Sequence, residues 1–188
     1  MIEDIFNIGA DDRDIDLFEG QYKVNGMRYN SYLIMDEKVC VLDSVAENFG
    51  DEWLKSIREI VKDRKVDYLV ISHMESDHSF NIEKLVNEYP DITLVGNTQT
   101  FNILNKYFET GANKLIVKND EVLSLGKHSL RFIFAPMVHW PEVMMTYEST
   151  EKILFSADAF GKFGANDIED PEGWPCEARR YYFGIVGK

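Results

Sequence analysis

The sequence of 188 residues predicts a layered α/β domain. Short apolar runs, such as residues 68–71 and 130–135, are typical of buried strands, whereas residues 48–62 carry apolar side chains at helical spacing. Strands and helices follow one another in a mixed order, and a sheet with helices on its faces is the natural packing for such a mixture. With 45% hydrophobic residues, the chain is long enough to form one domain with a sizeable core.

The first half of the chain predicts a hairpin followed by helices around a buried strand. Residues 32–34 and 38–42 flank a Met-Asp-Glu turn and predict the hairpin. Residues 48–62 predict an amphipathic helix, and residues 68–71 predict the strand that follows it. A second helix is expected to begin at Asn81, which is a good N-cap residue.

The second half of the chain predicts one more helix and then mostly strands. Apolar residues between positions 101 and 108 indicate a third helix that ends near Gly111. Beyond Pro175 the sequence opens a further amphipathic helix. The predicted strands of this half are residues 93–95, 115–117, 122–123, 130–135, 144–147 and 153–156.

The run at residues 73–78, directly after the apolar run 68–71, contains His73, Glu75, Asp77 and His78. In an extended loop alternate side chains point to the same side, so the first three can converge while His78 turns in from the next position. A mixed set of imidazoles and carboxylates without thiolate favours non-haem iron or manganese, with zinc possible. By itself the run is also compatible with a cluster on a solvated loop.

Two further ligand-type residues follow later strands. His139 comes after the predicted strand 130–135, and Asp158 comes after the predicted strand 153–156. In open α/β sheets ligands collect beyond the carboxyl ends of the strands, so these residues are expected to meet the run at residues 73–78. His128 lies in a Gly-Lys-His turn and is interpreted as an ordinary surface histidine.

These residues resemble the N-terminal metallo-β-lactamase-fold domain of flavodiiron proteins, which reduce dioxygen to water or nitric oxide to nitrous oxide. The resemblance covers essentially the whole chain and implies a metallo-β-lactamase-like αββα sandwich. Hydrolytic relatives usually carry His-x-His-x-Asp-His, whereas this chain has Glu75 in place of the second histidine. The matching segments are residues 18–20, 29–34, 73–78, 139–141 and 154–161.

The resemblance also implies a non-haem centre of two iron ions with a defined set of ligands. His73, Glu75 and His139 would bind one iron, Asp77 and His78 would bind the other, and Asp158 would bridge them. Direct ligation by the residue matching His78 varies within the family. The family has another histidine on the second iron, but no histidine follows Asp158 in this sequence.

The resemblance further implies partners for this centre. The substrate would be O2 or NO, and the electrons would come from FMN in a flavodoxin-like domain of a neighbouring subunit, within a head-to-tail homodimer, or from a redox partner such as rubredoxin. The family's flavodoxin-like domain has no counterpart among residues 1–188. We therefore expect residues 1–188 to be a partial metallo-β-lactamase-like domain, incomplete at its C-terminus.

Composition disfavours several other classes of function. A formal net charge of −13 leaves little attraction for nucleic acid or an anionic membrane. Without an apolar run of about 18 residues or a basic signal-peptide head, the sequence predicts a soluble, cytoplasmic protein. Cys40 alternates within a predicted strand and Cys176 lies in a polar tail, so neither a disulfide framework nor a CxxC site is expected.

Two alternatives remain open at this point: a dinuclear zinc hydrolase of the same fold, which Glu75 disfavours, and a non-catalytic oxygen-binding or sensor module.

Around the site, Asp43 is interpreted as a turn residue at a strand end rather than as a support for a ligating histidine. Trp140 and Pro141 are expected to fix the loop that carries His139. Met74, Phe80, Phe160 and Phe163 are expected to be core residues, and Asp167, Glu169 and Asp170 to lie in a solvated loop.

Overall fold

The computed structural model describes residues 3–166, 168–169 and 173–187 of the chain. Asp167 and Asp170, which were expected in a solvated loop, are not among the described residues. In the described part the strands are β1 Ile5–Asn7, β2 Ala10–Asp12, β3 Leu17–Phe18, β4 Tyr22–Lys23, β5 Met27–Tyr29, β6 Tyr32–Ile34, β7 Cys40–Leu42, β8 Tyr68–Val70, β9 Thr93–Gly96, β10 Asn113–Ile116, β11 Val122–Ser124, β12 Ser129–Phe134, β13 Met144–Glu148 and β14 Ile153–Phe155. The helices are α1 Gly50–Val61, α2 Ser76–Ser79, α3 Ile82–Glu88, α4 Thr98–Tyr107 and α5 Trp174–Tyr181, with a 3-10 turn at Glu47–Phe49 and a π-helical turn at Tyr182–Val186.

The larger sheet has six strands in the order β1-β6-β7-β8-β9-β10. Strands β7, β8, β9 and β10 are parallel, whereas β1 and β6 pair antiparallel at one edge. The central strands are buried on both faces, which is why Cys40–Leu42 and Tyr68–Val70 read as unbroken apolar runs. The carboxyl end of β8 leads directly into the loop that begins at His73.

The smaller sheet is antiparallel, in the order β11-β12-β13-β14, and packs against the larger one. Its inner face contributes Leu130, Phe132, Met144 and Phe155 to a core shared with side chains of the larger sheet. Its outer face carries exposed apolar side chains, among them Val122 and Leu154. The side chains from the larger sheet are Ile34, Cys40, Leu42, Val70 and Val95.

Helices α1, α3 and α4 cover the opposite face of the larger sheet. In α1 the buried residues Trp53, Ile57 and Val61 recur every four positions, so one face of the helix is apolar. Burial of each such side chain stabilises the folded protein by about 1.5–3 kcal/mol. The helical layer, the large sheet and the small sheet form three layers of an α/β sandwich, which confirms the predicted α/β class.

The predicted elements occur with small shifts, and the helix expected after Pro175 is confirmed as α5. The expectation for His128 was wrong, because this residue is fully buried rather than on the surface. Its Nδ1 atom lies 3.1 Å from Oε1 of Glu148, which is buried on the neighbouring strand, so a charged partner allows the imidazole to turn inward. Cys40 is buried, as expected. Within the described residues, we find no helix that combines the length and the hydrophobicity of a membrane-spanning segment.

Candidate metal centre

His73 lies at the centre of the site, in the loop after β8. The preceding strand is fixed by its parallel neighbours, and the Ile71 N–H donates to the Val95 carbonyl at 2.9 Å. The His73 side chain is fully buried. Its Nε2 atom lies 3.4 Å from Oε2 of Glu75 and 3.5 Å from Oδ2 of Asp158. The position therefore brings one imidazole against two carboxylates.

His139 completes a compact group of four donors. Its Nε2 atom lies 3.3 Å from Nε2 of His73, 3.1 Å from Oε2 of Glu75 and 3.2 Å from Oδ2 of Asp158. The donor atoms of these four residues all lie within 4.8 Å of one another. Ligands that each lie about 2.0–2.2 Å from one cation have this kind of mutual spacing, so the group fits a metal ion.

Each member of the group comes from the carboxyl end of a strand or the loop beyond it. His139 lies between β12 and β13, in a loop closed by the Ala135 N–H donating to the Val143 carbonyl at 2.9 Å. Asp158 follows β14 by a short turn in which Ala157 has a φ of 50°. A left-handed conformation is unfavourable for alanine by about 1 kcal/mol, so the surrounding contacts hold this turn in place.

His78 lies on the other side of Asp158. Its Nε2 atom is 3.0 Å from Oδ1 of Asp158 and 4.0 Å from Oδ2 of Asp77. The Oδ1 atom of Asp77 is a buried oxygen with no hydrogen-bond partner in the described structure. A buried carboxylate oxygen without a donor is costly unless a cation approaches it, so this side of the site also fits a metal ion.

The expectation that His73, Glu75 and Asp77 converge was only partly right. His73 and Glu75 belong to the group of four, but Asp77 does not. The reason is local: Glu75 has an extended backbone with ψ of 153°, and the helix α2 begins at the next residue. The helical turn changes the direction of the following side chains, so Asp77 accompanies His78 instead.

The electrostatics of the site link its histidines to its carboxylates. Burial opposes protonation of His139, but hydrogen bonds with Asp158 and Glu75 raise its pKa to about 9. Burial likewise opposes protonation of His78, yet the charges of Asp158 and Asp77 raise its pKa well above the usual value. Burial raises the pKa of Asp77 to about 6. In the metal-free protein, protons on the imidazoles thus provide the positive charge that a metal ion would supply.

Glu142 is a residue of this site that sequence reasoning missed. Its side chain is fully buried, and Oε1 accepts from the Met74 N–H at 2.9 Å and lies 2.7 Å from Nδ1 of His73. Burial would raise its pKa, but the contact with His73 holds that pKa below the usual value. The available signal was its position one residue after Pro141 in the loop that carries His139.

Asp43 supports the loop of His73 from the end of β7. Its Oδ1 atom accepts from the Ser72 N–H at 2.6 Å, and Oδ2 lies 3.5 Å from Nδ1 of His78. The interpretation of Asp43 as a simple turn residue was therefore incomplete. A short polar side chain at the end of a strand is compatible with both roles, and only the fold shows which loop it faces.

The aromatic and apolar residues near the site divide into two groups. The ring of Trp140 packs edge-on against the ring of His73, with 5.2 Å between the ring centres. Met74 and Phe163 are buried in the core, as expected. Phe80 and Phe160 are 49% and 75% exposed, so their expected place in the core was wrong. Phe80 follows the run at residues 73–78, and Phe160 follows Asp158. Both lie outside the strands, so the alternation of side chains along a strand could not predict which way they point.

A cavity of about 180 Å³ adjoins the second half of the site. Asp77, His78, Asp158, Phe160 and Trp174 are among the residues that line it. The cavity is smaller than the roughly 300–1,000 Å³ that pockets for drug-sized ligands occupy. A small molecule therefore fits in this cavity beside the candidate ligands.

Comparisons with known proteins identify the family of this chain. The profile of the ODP family beta lactamase matches residues 27–172. A nitric oxide reductase of Moorella thermoacetica is 35% identical over 194 aligned positions, which cover 99% of this chain and 49% of the reductase. The chain thus spans about half the length of this curated relative.

Solved structures show the same relationship. The flavodiiron protein of Giardia intestinalis is 32% identical with a TM-score of 0.90, and the match covers 100% of this chain and 47% of that protein. The rubredoxin oxygen:oxidoreductase of Desulfovibrio gigas is 30% identical, also with a TM-score of 0.90, and the match covers 99% and 48% of the two chains. The chain therefore belongs to the ODP family of beta-lactamase-like proteins and has the fold of the metallo-β-lactamase-like domain of flavodiiron proteins.

Proposed function

We propose that residues 1–188 form the metallo-β-lactamase-like diiron part of an oxidoreductase that reduces O2 to water, NO to nitrous oxide, or both. The observation that carries the proposal is the position of Asp158. One of its oxygens faces His78 at 3.0 Å, and the other faces His139 at 3.2 Å. A carboxylate with ligand-type residues at both oxygens is suited to join two metal ions.

The proposed ligands divide between the two ions. His73, Glu75 and His139 hold one iron, Asp77 and His78 hold the other, and Asp158 bridges them. The compact group of four donors supports the first half, and the buried, unpartnered oxygen of Asp77 supports the second. Three imidazoles, three carboxylates and no thiolate match the ligand preference of non-haem iron better than that of a zinc-only site.

Two iron ions, when bound, supply one-electron redox steps to a small molecule held beside them. The chain's own residues provide the surroundings. The cavity next to Asp77 and His78 is large enough for a diatomic gas. His73, His78 and Asp158 are buried, so bulk water has little access to these three side chains. The carboxylates balance much of the charge of two cations.

The electron donor and assembly belong to the same proposal. Reduction of one O2 to water takes four electrons, and conversion of two NO to nitrous oxide takes two, so a donor must be available. We propose FMN of a flavodoxin-like domain in a head-to-tail homodimer, or a separate partner such as rubredoxin or a flavoprotein. One related structure is named rubredoxin oxygen:oxidoreductase, which supports this choice. A cytoplasmic location would give such donors access.

A gas-consumption assay tests the proposed function. The chain is loaded with Fe²⁺ and supplied with reduced rubredoxin or a reduced flavoprotein, and O2 or NO is followed with an electrode. We expect consumption that requires both iron and donor, with water or nitrous oxide as the product. Iron-loaded protein that binds gas without turnover would favour the non-catalytic sensor. Zinc-loaded protein with esterase or thioesterase activity would favour the hydrolase, which Glu75 disfavours.

A further inference from the structure

We infer that Glu142 is a positioning residue that fixes the tautomer and orientation of His73, so that Nε2 of this histidine is presented to the metal. The inference rests on the proposed metal site and deepens it. The six proposed ligands do not include Glu142, which lies behind His73, on the side of the ring away from the other donor atoms.

The hydrogen bonds of Glu142 decide which nitrogen of His73 carries the proton. Oε1 of Glu142 accepts from the Met74 N–H at 2.9 Å, so this oxygen acts as an acceptor in the pocket. The same oxygen lies 2.7 Å from Nδ1 of His73, which must therefore be the protonated nitrogen. The lone pair of the neutral ring is then on Nε2, the atom that faces the donors of His139 and Asp158.

The backbone of Glu142 is itself held in place by the scaffold. The backbone carbonyl of Glu142 accepts from Nδ2 of Asn97 at 2.7 Å. The side-chain oxygen of the same Asn97 accepts from the N–H groups of Gln99 and Thr100 and caps helix α4. Close by, the Met144 N–H donates to the Ser72 carbonyl at 3.0 Å. Glu142 therefore connects the His139 loop, the His73 loop and a helix end.

Both loops carry ligands of the compact group, so the connection has a consequence for metal binding. The side chain of Glu142 sets the ring of His73, while its backbone belongs to the segment that carries His139. One residue thus sets the relative position of two imidazoles whose Nε2 atoms are 3.3 Å apart. Partners of ligating histidines that act in this way typically change metal affinity about 10–100-fold when they are removed.

The chain provides a matched control for this role. Glu148 is also fully buried and also faces a histidine, with Oε1 3.1 Å from Nδ1 of His128. Its carboxylate accepts from the N–H groups of Thr150 and Glu151, in a turn of the smaller sheet. Neither Glu148 nor His128 belongs to the candidate metal group. If any substitution in a buried Glu–His pair lowers metal affinity by disturbing the fold, the loss should therefore appear at both positions.

The test compares E142Q and E142L with the matched controls E148Q and E148L in the 188-residue chain, with Zn²⁺ as a diamagnetic probe. Zinc affinity is measured by competition with a chelator, and ¹⁵N NMR of the histidine rings reports which nitrogen of His73 carries the proton. We expect E142L to weaken zinc binding by about 10–100-fold and to abolish the protected Nδ1–H signal of His73. E142Q keeps an acceptor oxygen, so the signal persists and affinity changes by only a few-fold.

The outcomes separate this inference from the proposed metal site. E148Q and E148L are expected to bind zinc as the wild-type chain does, which shows that the loss in E142L is specific to Glu142. Wild-type zinc affinity in E142L, or a zinc-bound E142Q in which Nε2 of His73 carries the proton, overturns the positioning role alone. If E142L does not fold, the NMR signal of E142Q decides the question. Absence of zinc or iron binding in the wild-type chain overturns the metal site and the positioning role together.

Discussion

Oδ1 of Asp158 lies 3.0 Å from Nε2 of His78, and both side chains are buried. The other oxygen of the carboxylate faces Nε2 of His139 at 3.2 Å. One carboxylate therefore separates two groups of candidate ligands. The first group comes from the start of the run at residues 73–78 and from the loop after β12, and the second comes from the end of the same run. The proposal of two metal ions depends on this arrangement more than on any single ligand.

Replacing Asp158 by asparagine should remove the connection between the two halves of the site. We expect D158N to lose the second metal ion and to lower gas consumption by more than about 100-fold, because even partners of ligands change affinity by about 10–100-fold. The measurement is iron content by elemental analysis together with the electrode assay. D120N is a suitable control, since Asp120 is exposed and pairs with Arg131 at the surface. A D158N protein with full iron content and activity would contradict the bridging role.

The metal-free protein should become less stable as the pH rises from about 6.5 through about 9. The pKa of His139 is about 9 in the folded protein, against about 6.5 in an unfolded chain, so the folded state binds this proton more tightly. The resulting stability is fully present below pH 6.5 or so and is lost as the pH passes the folded pKa. His73 and His78, whose pKa values are also raised, act in the same direction.

Urea unfolding of the metal-free chain at several pH values checks this expectation. H139Q removes one group that binds a proton more tightly in the folded state. The free energy of unfolding of this variant should therefore fall less steeply with pH than that of the wild-type chain. In the presence of Zn²⁺ the dependence should reverse, because metal ions bind deprotonated imidazoles. Equal pH dependences for H139Q and the wild-type chain would show that His139 does not interact with Asp158 and Glu75 as described.

Phe132 should be essential for the packing of the two sheets. It is fully buried between them, so F132A should lower the free energy of unfolding by about 3–5 kcal/mol through lost burial and the cavity left behind. F160A is the matched control, because Phe160 is 75% exposed and its removal should change stability by less than about 0.5 kcal/mol. Denaturant midpoints of the two variants decide the matter, and similar values for both would be inconsistent with the described core.

The two cysteines should differ sharply in reactivity. Burial raises the pKa of Cys40, which lies in the core between the sheets, whereas Cys176 is partly exposed on α5. Because the thiolate is the reactive form, a thiol reagent should modify Cys176 in the native protein and Cys40 only after unfolding. Mass spectrometry of the labelled peptides distinguishes the two sites. Rapid labelling of Cys40 under native conditions would show that the sheets separate readily.

The sequence was sufficient for the fold class, because apolar runs and helical spacing depend on local pattern. It was less informative about contacts between distant loops. Asp77 differs from the expectation because a helical turn begins after Glu75, and an extended run of alternating ligands does not reveal where such a turn starts. His128 was assigned to the surface because its partner Glu148 lies twenty residues away on another strand.

Glu142 illustrates the same limit at the site itself. In the sequence it is a single glutamate between Pro141 and Val143, and its position near His139 does not by itself distinguish it from a solvated charge. Its burial follows from the way in which the loop after β12 folds over His73. The proposed ligands could be suggested by their types and spacing, whereas the residues that orient them depend on tertiary structure.

An anaerobic titration of the metal-free chain with Fe²⁺ tests the central claim most directly. Two ions held by unequal sets of residues should bind in two steps. The first equivalent should bind more tightly, to His73, Glu75, His139 and Asp158, and the second more weakly, beside Asp77 and His78. The account predicts close to two iron ions per chain at saturation. Saturation at one ion or none, in a correctly folded chain, would contradict it.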